Sequence, residues 1–248
     1  MRIALLSDIH EDLPQLEKVL ARAGRKGYDR LVCLGDISGF SIPHYTYQDS
    51  RNAPGCLALL REKEALIVPG NHDFHAARRI PVHSAGFDFP ADWYDMDYRE
   101  KEKLAGDRIY LHERDELDPL YGRTDRDFLR GLTEYRILDA GPVRLLLSHY
   151  VFPNLAGFQR GFYQKEEDFH GHFRFMMEKD CQISFTGHAH VRGVYTVTSR
   201  QFKHPGYGKV RLKEFPVCVG IHPVSRNKRR SGFCIFDVER HVLDAVKC

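Results

Sequence analysis

The sequence predicts an α/β fold, on three observations. Short apolar runs recur at residues 2–7, 31–34, 65–68, 143–148 and 183–185. Several of the stretches between them carry apolar residues at helical spacing. After Val191 that spacing gives way to strand-like segments divided by glycine and proline. Strands alternating with helices, then strands alone, are expected of a parallel sheet with antiparallel strands added at its edge. Each of the five runs also empties into a side chain able to bind a metal ion.

Residues 2–7 form the first strand, which runs directly into Asp8-Ile9-His10. In an extended segment residues i and i+2 point the same way, so Asp8 and His10 are expected to reach one metal ion together. Leu13, Leu16, Val19, Leu20 and Ala23 then repeat at helical spacing, with Asp12 as candidate N-cap and Gly24 and Gly27 near the end. Residues 31–34 are the second strand and deliver Gly35-Asp36. A lone Gly-Asp is usually a turn, but here it recurs in a pattern.

Residues 38–53 read as a polar loop, with Tyr45 and Tyr47 as a possible rim, and residues 56–63 as a helix. The third strand ends at Pro69-Gly70 and opens onto Asn71-His72-Asp73, setting an amide, an imidazole and a carboxylate where a parallel sheet tends to bind its ligand. From about 80 to 122 the chain is aromatic, acidic and turn-rich. It is expected to be an irregular insertion or lid, with a short strand at 108–111 and its aromatic residues forming a satellite cluster.

A helix at 125–132 follows, then strands at 135–138 and 143–148 paired across Ala140-Gly141-Pro142, the second delivering His149. Residues 166–179 suggest a helix carrying His170 and His172, which are not four residues apart and are expected on a solvated face. The fifth apolar run ends in Thr186-Gly187-His188-Ala189-His190. Beyond it, strands are expected at 194–198, 209–212, 217–219, 233–238 and 241–246, with turns at Pro205-Gly206 and Ser231-Gly232.

At 248 residues, 42% of them hydrophobic, the chain can bury a sizeable core, and one domain spanning 1–248 is expected. A balance of 37 basic against 34 acidic residues lacks the excess that a nucleic-acid-coating protein needs. Six cysteines without a C-x-x-C pair read as reduced thiols. No segment approaches the ~20 apolar residues of a membrane span, and the first residues lack a long apolar signal core. A cytoplasmic location and no membrane partner are expected.

Asp8, His10, Asp36, Asn71, His149, His188 and His190 form a mixed oxygen and imidazole ligand set without thiolate. Such donors suit Mn²⁺, Fe or Zn²⁺. Seven are too many for one ion. With a bridging carboxylate they fit two ions ~3.5–4 Å apart, which can activate a hydroxide and clamp a phosphoryl oxygen.

In that order, D-x-H, G-D, G-N-H-D, S-H and G-H-A-H resemble the motifs of the calcineurin-like metallophosphoesterase family. Val217-Cys218-Val219-Gly220 followed by Ser225-Arg226 is similar to that family's closing segment, although Ile221-His222-Pro223-Val224 intervenes. The resemblance implies a four-layer α/β sandwich of mixed sheets flanked by helices, with the metal site at the strand ends. It implies one ion held by Asp8, His10 and His190, another by Asn71, His149 and His188, and Asp36 bridging them, with Mn²⁺ expected foremost.

His72 would protonate the leaving group or hold the phosphate, and Asp73 would either orient that imidazole or cap the next helix. Asn71, His72 and Arg226 are the candidate substrate contacts, although Arg226, Lys228, Arg229 and Arg230 also read as a solvated basic turn. The implied activity is hydrolysis of a phosphomonoester or small phosphodiester, of nucleotide or phosphoprotein type. A metal-free interaction scaffold and a nuclease are the alternatives. The oligomeric state is not legible.

Overall fold

The computed structural model describes residues 1–226 and 231–248. Lys228, Arg229 and Arg230 of the expected basic turn lie outside the described residues. Two six-stranded sheets face one another. The first contains β1 (Arg2–Leu6), β2 (Arg30–Cys33), β3 (Leu66–Ile67), β9 (Gly208–Arg211), β11 (Gly232–Asp237) and β12 (Val242–Lys247), in the order β3-β2-β1-β11-β12-β9. The second contains β4 (Tyr135–Ala140), β5 (Val143–Ser148), β6 (Ile183–Thr186), β7 (Val194–Thr198), β8 (Gln201–Gly206) and β10 (Val217–Gly220), in the order β4-β5-β6-β10-β7-β8.

Alternating side chains explain the layering. Ala4 and Leu6 of β1 pack outward under α1 (Leu13–Lys26) and α2 (Ala53–Glu62), while Ile3 and Leu5 pack inward between the sheets. In β5, Leu145 and Leu147 join that same inner core, and Leu146 faces out toward α6 (His170–Glu178). Helix, sheet, sheet and helix therefore stack in four layers, each sheet apolar on both faces, as the runs without polar alternation require. Asp12 caps α1, accepting from Gln15 N at 3.3 Å, and Asn52 caps α2, accepting from Gly55 N at 2.8 Å.

The structure departs from the expectation of one parallel sheet with an antiparallel extension. Parallel strands are shared out, β1-β2-β3 to one sheet and β5-β6-β10 to the other, and the C-terminal strands complete both. β10 is central and parallel to β6, because Val217 and Val219 serve the inner core while Cys218 serves the outer one. The expected turn at Pro205-Gly206 is the end of edge strand β8, where a proline removes no ladder bond.

Residues 80–122 hold one short α-helix, α4 (Tyr98–Ala105), and a 3-10 turn at His112–Arg114. Phe87, Trp93, Ile109 and Leu111 pack there with Phe158 into a satellite core, and the expected strand at 108–111 reduces to a single bridge between Ile109 and Gln159. A shorter helix, α3 (Asn71–Ala77), opens at the third motif and packs on α5 (Arg123–Arg130). His170 is exposed as expected, but His172 is fully buried: Phe152 N donates to its Nδ1 at 3.0 Å and its Nε2 meets Ser184 Oγ at 2.9 Å.

Candidate metal centre and active site

Five of the seven candidate ligands sit on left-handed backbone: Asp8 (φ 54°), His10 (φ 47°), Asp36 (φ 53°), His188 (φ 63°) and His190 (φ 47°). Asp8 and His10 are therefore not side by side on an extended strand, as i,i+2 reasoning had it. β1 stops at Leu6, and a tight turn brings them together. That conformation costs free energy, and backbone bonds hold it: Asp8 N donates to Gly35 O at 3.0 Å, and Ile9 N and His10 N donate to Asp36 O at 2.8 and 2.9 Å. The loops after β1 and β2 are thus zipped into one floor.

Among the described residues, four groups of side chains bring ligand atoms within 4.8 Å of one another. One is Asp8, His10 and His190, with His190 Nε2 3.2 Å from Asp8 Oδ1 and 3.1 Å from His10 Nε2. A second is Asp36, His149 and His188, with His149 Nε2 3.0 Å from Asp36 Oδ2 and 3.2 Å from His188 Nδ1. Asp36 also groups with His10 and His72, and so stands between the first two. The fourth, His72, His112 and Glu116, was not anticipated.

The donors fit divalent cations. His10 Nδ1 donates to Gly39 O at 2.9 Å and His149 Nδ1 to Leu34 O at 2.6 Å, so each ring turns its Nε2 toward the centre, as a lone pair in neutral His10 and as a proton shared with Asp36 in His149 until a cation displaces it. Lone pairs converging on carboxylates require positive charge among them. Asn71 Nδ2 donates to His112 Nε2 at 2.8 Å, which leaves Asn71 Oδ1 buried without a hydrogen-bond partner among the described residues. A buried carbonyl oxygen of that kind suits a cation.

Burial, then the nearby His72 and His190, pushes His10 down to about 3, and burial, then His149, does the same to His188. Both rings are neutral donors at physiological pH. Burial opposes charge on Asp36, yet His149 and His72 hold its carboxyl well below the usual carboxylate range. Burial likewise opposes charge on His149, and the Asp36 carboxylate overrides it, raising the imidazole to about 9. Backbone approach is close throughout: a Cβ on Gly70 would lie 2.1 Å from Asp36 Oδ1, so only glycine fits beside the carboxylate.

His72 lines a cavity of about 550 Å³ above this floor, with His10, Asp36, Asn71, His188 and His190. Its Nδ1 donates to Glu116 Oε2 at 2.6 Å. Asp73 does not orient this ring. Its buried carboxylate accepts from Ile37 N, Ser38 N and Ser38 Oγ at 3.0, 3.0 and 2.8 Å, and from Gly70 N at 3.1 Å. It therefore ties the second-motif loop to the first turn of α3, sitting three positions inside that helix rather than at its N-cap. Burial, then Asp36, raises it to about 6.

Arg226 lies away from the cavity. Its Nε and Nη2 donate to the buried carboxylate of Asp12 at 2.9 Å each, and its guanidinium sits 4.9 Å from the Tyr47 ring centroid. An arginine so engaged fastens the C-terminal segment to the start of α1, which corrects the expectation of a phosphate contact. Tyr45 does line the cavity beside His10, whereas Tyr47 is buried beneath, donating to His10 O at 3.0 Å.

Sequence reasoning missed Glu116, His112 and Glu11. Glu11 is buried, accepts from Gly39 N and Phe40 N at 3.2 and 3.1 Å, and pairs with Arg51 at 2.7 Å, shaping the loop over His72. Its place directly after D-x-H was a usable signal. Glu116 and His112 carried none, lying in an aperiodic stretch.

Among the described residues no helix is long and apolar enough to cross a membrane. A 72-residue stretch is 38% identical to an uncharacterized protein of Methanocaldococcus jannaschii, covering 29% of this chain and 26% of that protein. The match thus spans about a quarter of that relative's length. Among solved structures the fold is similar to a metallophosphoesterase from Sphaerobacter thermophilus, at TM-score 0.68 and 19% identity over 100% of this chain and 88% of that one. It is also similar to a hypothetical protein from Pyrococcus horikoshii, at TM-score 0.58 and 14% identity over 99% and 87%. Residues 1–192, which contain all the candidate ligands, match the model of the calcineurin-like phosphoesterases, and the chain belongs to that family.

Proposed function

We propose that the chain is a two-metal phosphoesterase that hydrolyses a small phosphomonoester or phosphodiester, with Mn²⁺ as its working ion. The observation that carries this reading is the position of Asp36. It shares one ligand group with His149 and His188 and another with His10 and His72, at the floor of the cavity. In this reading Asp8, His10 and His190 hold one cation, Asn71, His149 and His188 hold the other, and Asp36 lies between. Imidazole-rich donors suit Mn²⁺, Fe or Zn²⁺ better than Mg²⁺, which prefers oxygen and water. The bound pair supplies charge neutralisation at the phosphoryl oxygens and a water-derived nucleophile at neutral pH.

His72 does the proton work. With Nδ1 committed to Glu116, its Nε2 is left beside Asp36, 3.9 Å from Oδ2. A proton there can pass to the departing oxygen or hold a phosphoryl oxygen in place. The protein's six cysteines are free thiols, five of them buried, which suits the reducing cytoplasm we propose as its compartment.

The test is to strip the purified protein with chelator, reload it with Mn²⁺ or Mg²⁺, and measure bound metal and turnover on phosphoserine peptides, mononucleotides, p-nitrophenyl phosphate and a bis-aryl diester. Two ions bound per chain and faster turnover with Mn²⁺ are expected. Failure to take up metal, or no hydrolysis of any ester, overturns the reading.

A further inference from the structure

Three segments wall the cavity above the candidate ligands. Ser41 and Tyr45 come from the loop after β2, Tyr110 from the insertion, and Gln159, Arg160 and Phe162 from the loop between β5 and α6. The last two segments are zipped together: Tyr110 N donates to Phe158 O at 3.0 Å and Arg160 N to Arg108 O at 2.8 Å. Ile109, on the far side of this short ribbon, is buried in the satellite core, so the wall is pinned from behind.

Three features of this wall point to a ligand. Phe162 is 51% exposed although it is a large apolar residue on a cavity wall. Its ring leans on His188 at 5.3 Å and on Tyr150 at 6.4 Å, which leaves the remainder of the ring bare. Ser41 is 2% exposed, and its Oγ is buried with no hydrogen-bond partner among the described residues. A buried hydroxyl left so is costly unless something entering the cavity pairs with it. Arg160 is the single lysine or arginine among the lining residues, and its guanidinium pairs at 3.5 Å with Asp107, a fully exposed and hence weak partner.

We propose that this wall is a base-binding subsite and that the substrate is a nucleoside monophosphate. The inference rests on the phosphoesterase reading above and names the class of ester. The phosphate meets the candidate ligands, the base lies against Phe162, and Ser41 Oγ pairs with a polar atom of the nucleoside. Water attacks phosphorus, the bond from phosphorus to the ribose oxygen breaks, and that oxygen leaves as a hydroxyl with a proton from His72, giving nucleoside and inorganic phosphate. An aromatic-walled cavity of about 550 Å³ with one cation at its mouth has room for a mononucleotide.

The test compares AMP with ribose 5-phosphate on the Mn²⁺-loaded protein, since the two share the leaving oxygen and differ by the base. kcat/KM is expected to favour AMP by about tenfold or more, chiefly through KM, the scale of one base stacked on an aromatic ring. In Phe162→Ala the ratio should fall toward one, and in Phe162→Trp it should persist. Equal kcat/KM for the two esters, an unchanged ratio in Phe162→Ala, or faster turnover of a phosphoserine peptide than of AMP overturns the subsite while hydrolysis itself stands. No hydrolysis of any ester, p-nitrophenyl phosphate included, removes the reading beneath it as well.

Discussion

His72 Nδ1 lies 2.6 Å from Glu116 Oε2, a partner 44 positions later in the chain. Burial works against a charged ring, but Glu116 and then Asp36 override it and raise His72 to about 10, so the imidazole carries its proton at neutral pH. Glu116 meets the Asp36 group through His72 and acts on it as a positioning residue. Glu116→Gln is expected to lower kcat on an alkyl phosphate by about tenfold to a hundredfold, within the range of general acid catalysis. Bound metal should not change. Loss of metal in this variant would make the pair structural.

His72→Ala tests the acid directly. A positioned acid contributes about 10²–10⁴-fold, and its value rises with the basicity of the departing oxygen. Turnover of a ribose-linked phosphate should fall far more than that of p-nitrophenyl phosphate, whose leaving group departs unaided. An equal loss on both, with metals intact, would assign His72 to charge stabilisation instead.

Asp36→Asn should abolish activity more completely than a change at any single non-bridging ligand. A carboxylate between two cations neutralises both, so its loss disturbs both sites at once. Metal analysis should show fewer than two ions per chain. Two tightly bound ions and near-normal turnover would rule out the bridge.

Arg226→Ala should destabilise the fold and spare catalysis. The buried Asp12 carboxylate would lose a two-pronged partner, at a cost of about 1–3 kcal/mol. A lower urea midpoint with kcat/KM within a few-fold of the parent is the expected result. A large rise in KM at unchanged stability would return Arg226 to the substrate.

His172 should impose a pH dependence on stability. Burial lowers its folded-state value to about 3, from an ordinary 6.5. Its contribution is complete above pH 6.5, where both states are neutral. As pH falls toward 3 the unfolded chain takes up a proton that the folded chain refuses, so stability is lost. The slope is at most about 1.4 kcal/mol per pH unit. Urea unfolding of His172→Gln should be flatter than the parent between pH 7 and 5. Parallel curves would show that the ring is not the titrating group.

All seven candidate ligands were legible because each follows a short apolar run, and a strand that ends in a turn places the next residues locally. Asp8, Asp36 and His149 need no knowledge of distant partners to be recognised. Their grouping came from motif order. The reason offered for Asp8 and His10 was nevertheless wrong, since backbone bonds between two loops, not strand alternation, set their direction. His172 was misplaced because a helix's solvated and buried faces cannot be told apart when both carry histidine.

The sequence by itself determined the α/β class, most strands and helices, and the candidate ligands that the structure brings together, because these depend on neighbours within a few positions. Only the tertiary structure decided which apolar strand pairs with which, so that β10 joined β6 and the parallel strands divided between two sheets. It alone gave Asn71 its hold on His112, 41 positions away, and Arg226 its partner in Asp12, 214 positions away. Such contacts are fixed by packing two sheets and an aperiodic insertion around one floor, and nothing in local composition encodes them.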